Sequence, residues 1–551
     1  MTPLPRALAA ACLAFAVACS ATVPSRPAVD PTAASPPSSP ATDGASRSRF
    51  ARVACDLPTP WIQRIHDGYH PGRSGHLQIV LEPPNYFGQF LHSGPYPYLQ
   101  RVPMFLYGPG HVPAVGRVTR PVRMTDLAPT YARYLGFRFP ARDGQPLEEA
   151  IAPGTGPPKL ILTVVWDGAG RNVLDEHPDA WPTLGRLIDE GAWYENATVG
   201  SSPSVTPTVH TTIGTGALPR NHGLIDLRFL VGDRLVGTRG VSSRYLRIPT
   251  LADRYDRARD NRAEIGIVAS GGTLGMIGKG ALFEGGDRDV AILDFRGNWG
   301  LSDKHEDYFR YAPYAEEDNG LSDALRELDL EDGQLDGRWL GEPVLAERED
   351  ISMTPAYSVH QRMLLERVIR TEGFGADDVP DLLYTNFKQI DLVGHRWSMN
   401  SPQMEAVVRS SDRALKDLIR ALDREVGRGE WVLALTADHG STPNRTVTGA
   451  FYVDLAAFTA DLEAAFDGDG DERQAIRSVR VTQVWLDEDE LAENGHTTSD
   501  VASFVMDYTL GDNVADPATL PARDRDSPVF AAAFPSAVLE DLPCLDRGGP
   551  G

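Results

Sequence analysis

Residues 160–170 read LILTVVWDGAG and residues 431–442 read WVLALTADHGST. Each is a short, β-rich apolar run that ends at an aspartate and breaks into glycine. Neither shows the apolar–polar alternation of a strand with one wet face, so each suits a strand covered on both sides. HLQIVLE (76–82), VPMFLYG (102–108), EIGIVAS (264–270) and DLLYTNF (381–387) repeat the pattern, and six buried parallel strands are expected. Between them lie segments of helical period: TDLAPTYARYLGF (125–137), WPTLGRLIDEGAWY (181–194) and SPQMEAVVRSSDRALKDLIRALDREV (401–426). The last opens with Ser401 as cap and Pro402 in the first turn. Strands alternating with helices predict an α/β fold built on a doubly wound, mostly parallel sheet.

In an open α/β sheet ligands gather where strands end, and these strands deliver chemistry there. Asp167 follows the first run, and Gly168 allows a sharp turn, although a single Asp-Gly is more often only a turn. Asp391 and His395 follow DLLYTNF four residues apart, on one face if that segment is helical, a spacing that can chelate an ion. Asp438 and His439 end WVLALTAD; both can face one ligand only where the strand breaks at Gly440. Taken alone, either Asp–His pair is equally a structural hydrogen bond. Between them lies GSSPSVTPTVHTTIGTGALPRNHGLIDLRF (200–229). A hydroxyl beside a divalent ion ionises readily and can attack phosphorus, while the same residue types also serve as helix caps.

The ordered set resembles the alkaline phosphatase superfamily, and more closely its type I phosphodiesterase and nucleotide pyrophosphatase branch. The shared pattern is D-G after a first strand, then T-x-x-x-H with T-G and H-G, then D-x-x-x-H, then D-H-G. The resemblance spans nearly all of residues 55–544. It implies Thr206 as nucleophile and a phosphothreonine intermediate. One metal would be held by Asp391, His395 and a third histidine, the other by Asp167, Thr206, Asp438 and His439. Two zinc ions are implied. His210 and His222 are read as packing residues outside the metal set. The family commonly places an Asn soon after H-G, and Leu227 stands there instead, so Arg228 or Lys279 is expected to hold a phosphoryl oxygen. The Cys-or-Ser-x-Pro-Ser-Arg signature of sulfatases is missing around Thr206.

The family's third histidine follows the D-H pair, where the chain offers only His496, in surroundings that do not match. HSGPYPYLQRVPMFLYGPG (92–110) resembles the family's closing block instead, and residues 125–136 resemble its terminal helix. A circular permutation is therefore expected: residues 51–150 as the displaced C-terminal block, 151–545 as the main catalytic domain with an insertion at about 228–380, and His92 as the third metal histidine. The two ends would then meet, and a Cys55–Cys544 disulfide would staple them.

The remaining features bound the class. The chain has 551 residues, 42% hydrophobic and 23% charged, and a formal net charge of −23, which disfavours double-stranded nucleic acid as a partner. Residues 1–19 read as a signal peptide ending at Cys19 in Ala-Val-Ala-Cys, which resembles a lipobox although Ala16 stands where Leu is usual. Residues 20–50 read as a Ser/Pro/Ala-rich tether. An extracytoplasmic protein is expected, lipid-anchored to a bacterial envelope membrane or released to the periplasm or medium. DGDGDE (467–472) lacks the Gly and Glu of a calcium loop and reads as a solvated acidic turn. The expected activity is hydrolysis of a small phosphorylated substrate, a phosphodiester or nucleotide pyrophosphate. The alternatives are a broad phosphomonoesterase and a surface lipoprotein that binds metal without turnover.

Overall fold

The two aspartate-terminated runs lie side by side as parallel strands. In the computed structural model, which describes residues 44–545 apart from 89, 239–241, 279–288, 296, 302–308, 469 and 471, the described residues fall in one compact unit. Its principal strands are β1 (Leu77–Leu81), β2 (Met104–Tyr107), β3 (Gly116–Arg123), β4 (Leu160–Trp166), β5 (Ala192–Thr198), β6 (Ile265–Ser270), β7 (Asp289–Asp294), β8 (Asp381–Phe387), β9 (Trp431–Thr436), β10 (Ile476–Val479), β11 (Gln483–Leu486) and β12 (Phe530–Pro535).

The large sheet runs β7-β6-β8-β4-β9-β2-β5-β3, with two short strands beyond β7. β7, β6, β8, β4 and β9 pair in parallel, and β4, β8 and β9 are buried along their whole length. β2 runs against β9 and β5. VPMFLYG is therefore antiparallel, not parallel as expected. Burial on both faces produces the same apolar run in either direction, so the sequence does not reveal the polarity. HLQIVLE departs further: β1 belongs to a second, four-stranded antiparallel sheet ordered β10-β11-β1-β12, with its own apolar core around Phe87, Phe458 and Phe530.

The helices follow their sequence signals more closely. α1 (Leu127–Tyr134), α2 (Thr206–Thr215), α3 (Pro355–Glu372), α4 (Gln389–Trp397) and α5 (Pro402–Leu422) are the ones that matter here. Ser401 caps α5 by accepting the Met404 N–H at 3.1 Å, with Pro402 in the first turn. The segment 181–194 is helical only over its first half, then turns at Gly191 and enters β5, where Trp193 and Tyr194 are fully buried. Within stretch 228–380, β6, β7 and α3 are part of the core. Its acidic segments fall on the connections between those elements and on a helix, Leu321–Asp329, that buries Ala324 and Leu328. Residues 51–150 likewise put β2 and β3 into the large sheet. Cys55 and Cys544 form a disulfide with Cα atoms 5.8 Å apart. The leader, Cys19 and the tether up to residue 43 lie outside the described residues, as do parts of 467–472. No helix among the described residues is long and apolar enough to cross a membrane.

Candidate active site

Register decides what meets at the sheet edge. Trp166 pairs with Phe387, and Thr436 with Val165, so β4, β8 and β9 end level and release Asp167, Lys388 and Asp438 into one crevice. β2 arrives antiparallel, with Met104 opposite Thr436, so the loop preceding it, which carries His92, is delivered to that same edge. The strand direction that sequence pattern could not supply is what brings His92 to the site.

Two glycines make the approach possible. Gly168 has φ +76°, and a β-carbon there would stand 3.1 Å from the Asp391 backbone. A β-carbon on Gly440 would stand 2.2 Å from the Tyr98 carbonyl oxygen. Both positions pack backbone against backbone, where only glycine fits.

The ligand atoms fall into two groups. His92, Asp391 and His395 form one: His92 Nε2 is 3.0 Å and His395 Nε2 3.5 Å from Asp391 Oδ1. Asp167, Asp438 and His439 form the other, fully buried, with His439 Nε2 3.3 Å from Asp438 Oδ2 and 3.6 Å from Asp167 Oδ1. The groups adjoin, since His439 Nε2 is 4.0 Å from Asp391 and its ring stacks on His92 at 3.7 Å. His496 is elsewhere, packed on Phe466 in the apolar core of the four-stranded sheet. The donor set suits divalent transition ions. Asp438 Oδ2 and His439 Nε2 are buried with no hydrogen-bond partner among the described residues, and such atoms are costly unless something ligates them. Carboxylate and imidazole together are zinc-type donors that also accept manganese or iron.

Thr206 opens α2 beside both groups. Val205 occupies the cap position and the helix start has no side-chain cap, so the Thr206 hydroxyl is not spent on capping. It lies 3.5 Å from Asp167 Oδ1, at the helix end where backbone N–H groups favour an anion. His210, one turn on, has Nδ1 2.8 Å from the Thr206 carbonyl and 3.6 Å from Asp438 Oδ2. His222 is buried against Thr212.

Lys388 is the site residue that sequence reading passed over. Its ammonium donates to Asp167 Oδ1 at 2.9 Å and Thr206 Oγ1 at 3.0 Å, and lies 2.7 Å from Asp391 Oδ2. The signal was its place one residue past a strand ending level with β4. Asn386 also contributes, donating to Asp167 Oδ2 at 2.7 Å. Burial, then the neighbouring Asp438 carboxylate, pushes the Asp167 carboxyl up. Burial would raise Asp391 as well, but Lys388, His395 and His92 outweigh it and hold Asp391 well below the usual carboxylate range. Burial holds the His92 and His439 imidazoles below their ordinary value, which leaves them neutral and able to ligate.

A cavity of about 400 Å³ opens at Thr206, Lys388, Asp391 and His395. It is also lined by Leu227, Thr238, Val481 and Arg480, the last two from the turn between β10 and β11. Arg228 is exposed and not among the described residues lining the cavity, and Lys279 lies outside the described residues.

A doubly wound sheet with two such ligand groups at its carboxyl edge is the architecture of the alkaline phosphatase superfamily. Within it, the sequence model of type I phosphodiesterase / nucleotide pyrophosphatase matches residues 161–529, and the chain belongs to that family. It is 30% identical to alkaline phosphatase PafA of Elizabethkingia meningoseptica over 164 residues, 28% of this chain and 29% of that protein. It is 26% identical to alkaline phosphatase PhoV of Synechococcus elongatus over 335 residues, 52% of this chain and 59% of that one. The chain thus spans less than two thirds of either relative. The crystal structure of PafA superposes with a TM-score of 0.51 at 19% identity, covering 64% of this chain and 76% of that one, a likeness of fold.

Proposed function

We propose that this protein is an extracytoplasmic hydrolase of phosphate esters in which Thr206 is the nucleophile. The single observation that supports this best is the placement of an uncapped hydroxyl, at a helix start, beside two groups of three metal-type ligands each. His92, Asp391 and His395 would hold one divalent ion, and Asp167, Thr206, Asp438 and His439 the other, with zinc the ion that their chemistry favours. When bound, two ions supply positive charge at the attacking and leaving oxygens of an in-line displacement. The chain's own part is to place Thr206 Oγ in line. The Thr206 Oγ–P bond forms as the bond from phosphorus to the leaving oxygen breaks; the hydroxyl proton is released and the departing alkoxide takes one up. Water then attacks the phosphothreonine, the Oγ–P bond breaks, and Thr206 regains its proton. The Cys55–Cys544 disulfide supports an oxidising compartment, and anchoring through a lipid on Cys19 belongs to this reading.

For substrate we favour a phosphodiester or nucleotide pyrophosphate. Leu91, Val205, Leu227 and Val481 line the cavity, and an apolar wall suits an organic group on the phosphate better than a bare dianion. The name alkaline phosphatase carried by the relatives supports a second reading, a phosphomonoesterase. Comparing kcat/KM on bis-p-nitrophenyl phosphate and p-nitrophenyl phosphate separates them, and a strong preference for the second compound would decide for the monoesterase.

Thr206→Ala should lower turnover by about 10³-fold or more, because the covalent route is removed. Fold and metal content should persist, since Thr206 is one of several ligands. Wild-type turnover by this variant, measured with metal content checked by elemental analysis, would remove the mechanism.

A further inference from the structure

Both Asp167 oxygens and one Asp391 oxygen are engaged within the protein, whereas Asp391 Oδ1 is buried with no hydrogen-bond partner among the described residues. Asp167 Oδ2 accepts from Asn386 and its Oδ1 from Lys388. Asp391 Oδ1 faces His92, and its Oδ2 is 2.7 Å from the Lys388 ammonium. The same nitrogen donates to Thr206 Oγ1 at 3.0 Å. One cation therefore engages an oxygen from each of the two ligand groups and the nucleophile as well. Asp167 Oδ1, which also faces His439, and the Thr206 hydroxyl are atoms that the metal reading above gives to one divalent ion, and this inference rests on that reading.

We propose that Lys388 is a tethered cation that competes with a metal ion for Asp167 and Thr206, and so sets how tightly the site holds it. An ammonium and a divalent ion drawn to the same Asp167 Oδ1 atom repel each other, and Oδ2 already accepts from Asn386, so a bound ion and the Lys388 ammonium oppose one another at this carboxylate. When the metals are absent, Lys388 offsets the repulsion among Asp167, Asp391 and Asp438, three carboxylates buried together. When metals enter, the flexible four-carbon stem lets the ammonium withdraw toward the cavity that Lys388 also lines.

The test uses the full-length protein, stripped with a chelator and titrated with zinc against an indicator of known affinity. Charge-assisted hydrogen bonds to carboxylates are among the stronger polar contacts, so Lys388→Met should bind zinc about tenfold tighter or more. Its metal-stripped form should melt below the stripped wild type, and Lys388→Arg should recover part of that loss. Zinc affinity equal to or weaker than wild type in the Met variant would overturn the proposal while leaving the metal reading in place. No zinc uptake by either protein would overturn both. Should the Met variant fail to fold, amine acylation of the wild type read by mass spectrometry gives the answer independently. Zinc should increase labelling of Lys388, and labelling that zinc leaves unchanged or lowers would count against displacement.

Discussion

At the scale of single residues, His222 shows how an H-G motif can be structural. Its ring is fully buried; Nδ1 accepts the Leu224 N–H at 3.1 Å, so Nε2 carries the proton toward the Thr212 hydroxyl, also at 3.1 Å. Burial, together with the positive charge of His70 and Arg73, lowers its pKa to about 3. Between pH 6.5 and about 3 the unfolded chain binds a proton at this position that the folded chain does not. The stability tied to a neutral His222 is therefore fully present above pH 6.5 and falls as pH drops, by up to about 1.4 kcal/mol per unit. His222→Asn keeps an acceptor for Leu224 and does not titrate. It should melt below wild type at pH 8, and the gap should narrow steadily by pH 5; a gap that stays constant across that range would show that His222 does not carry the acid sensitivity. The metal-ligand candidates were legible because Asp and His at strand ends combine residue type with position. Lys388 was not, because a lysine after a strand is ordinary until register shows which oxygens it meets.

At the scale of elements, burial and period were legible while direction and partner were not. The central strands β4, β8 and β9 read correctly because both of their faces are covered. β1 and β2 have the same apolar character, yet one lies in another sheet and the other runs antiparallel. Local sequence encodes how much of a strand is buried, whereas neighbours are chosen by loops and long-range packing. The direction of β2 matters at the site, because it carries His92 to Asp391; His92 is singled out by the family resemblance and not by that direction. If two ions bind as proposed, His92→Ala should lose one of them and most activity, whereas His496→Ala should keep both. Elemental analysis with kcat/KM on each variant checks this, and metal loss in the His496 variant alone would reverse the assignment.

At the scale of the whole molecule, the chain order itself is at issue. The family match begins at residue 161, yet residues 92–123 supply a candidate ligand and two strands of the large sheet. We propose that the order is a circular permutation, which would leave a block that lies before the matched region in sequence but completes it in space. The geometry of the ends agrees: Cys55 and Cys544 are bonded, and Arg47 pairs with Asp541 at 3.1 Å, so the two ends could be joined by a short linker. The cut that reverses the rearrangement also has a suitable place, since residues 153–157 around Gly154 and Gly156 are exposed and outside regular structure. Chains tolerate new ends in exposed loops when the original ends are close, because every strand pairing can form as before. A rebuilt chain that starts at Gly156, runs to Leu545, crosses a short Gly/Ser linker to Ser46 and ends at Pro153 should fold, bind the same number of metal ions and hydrolyse the same substrates within about tenfold of the parent. Circular dichroism, metal analysis and kcat/KM on the two proteins would measure this. A rebuilt chain that is soluble and folded but binds no metal would show that the present order is needed to bring His92 and Asp391 together, and the permutation reading would fail.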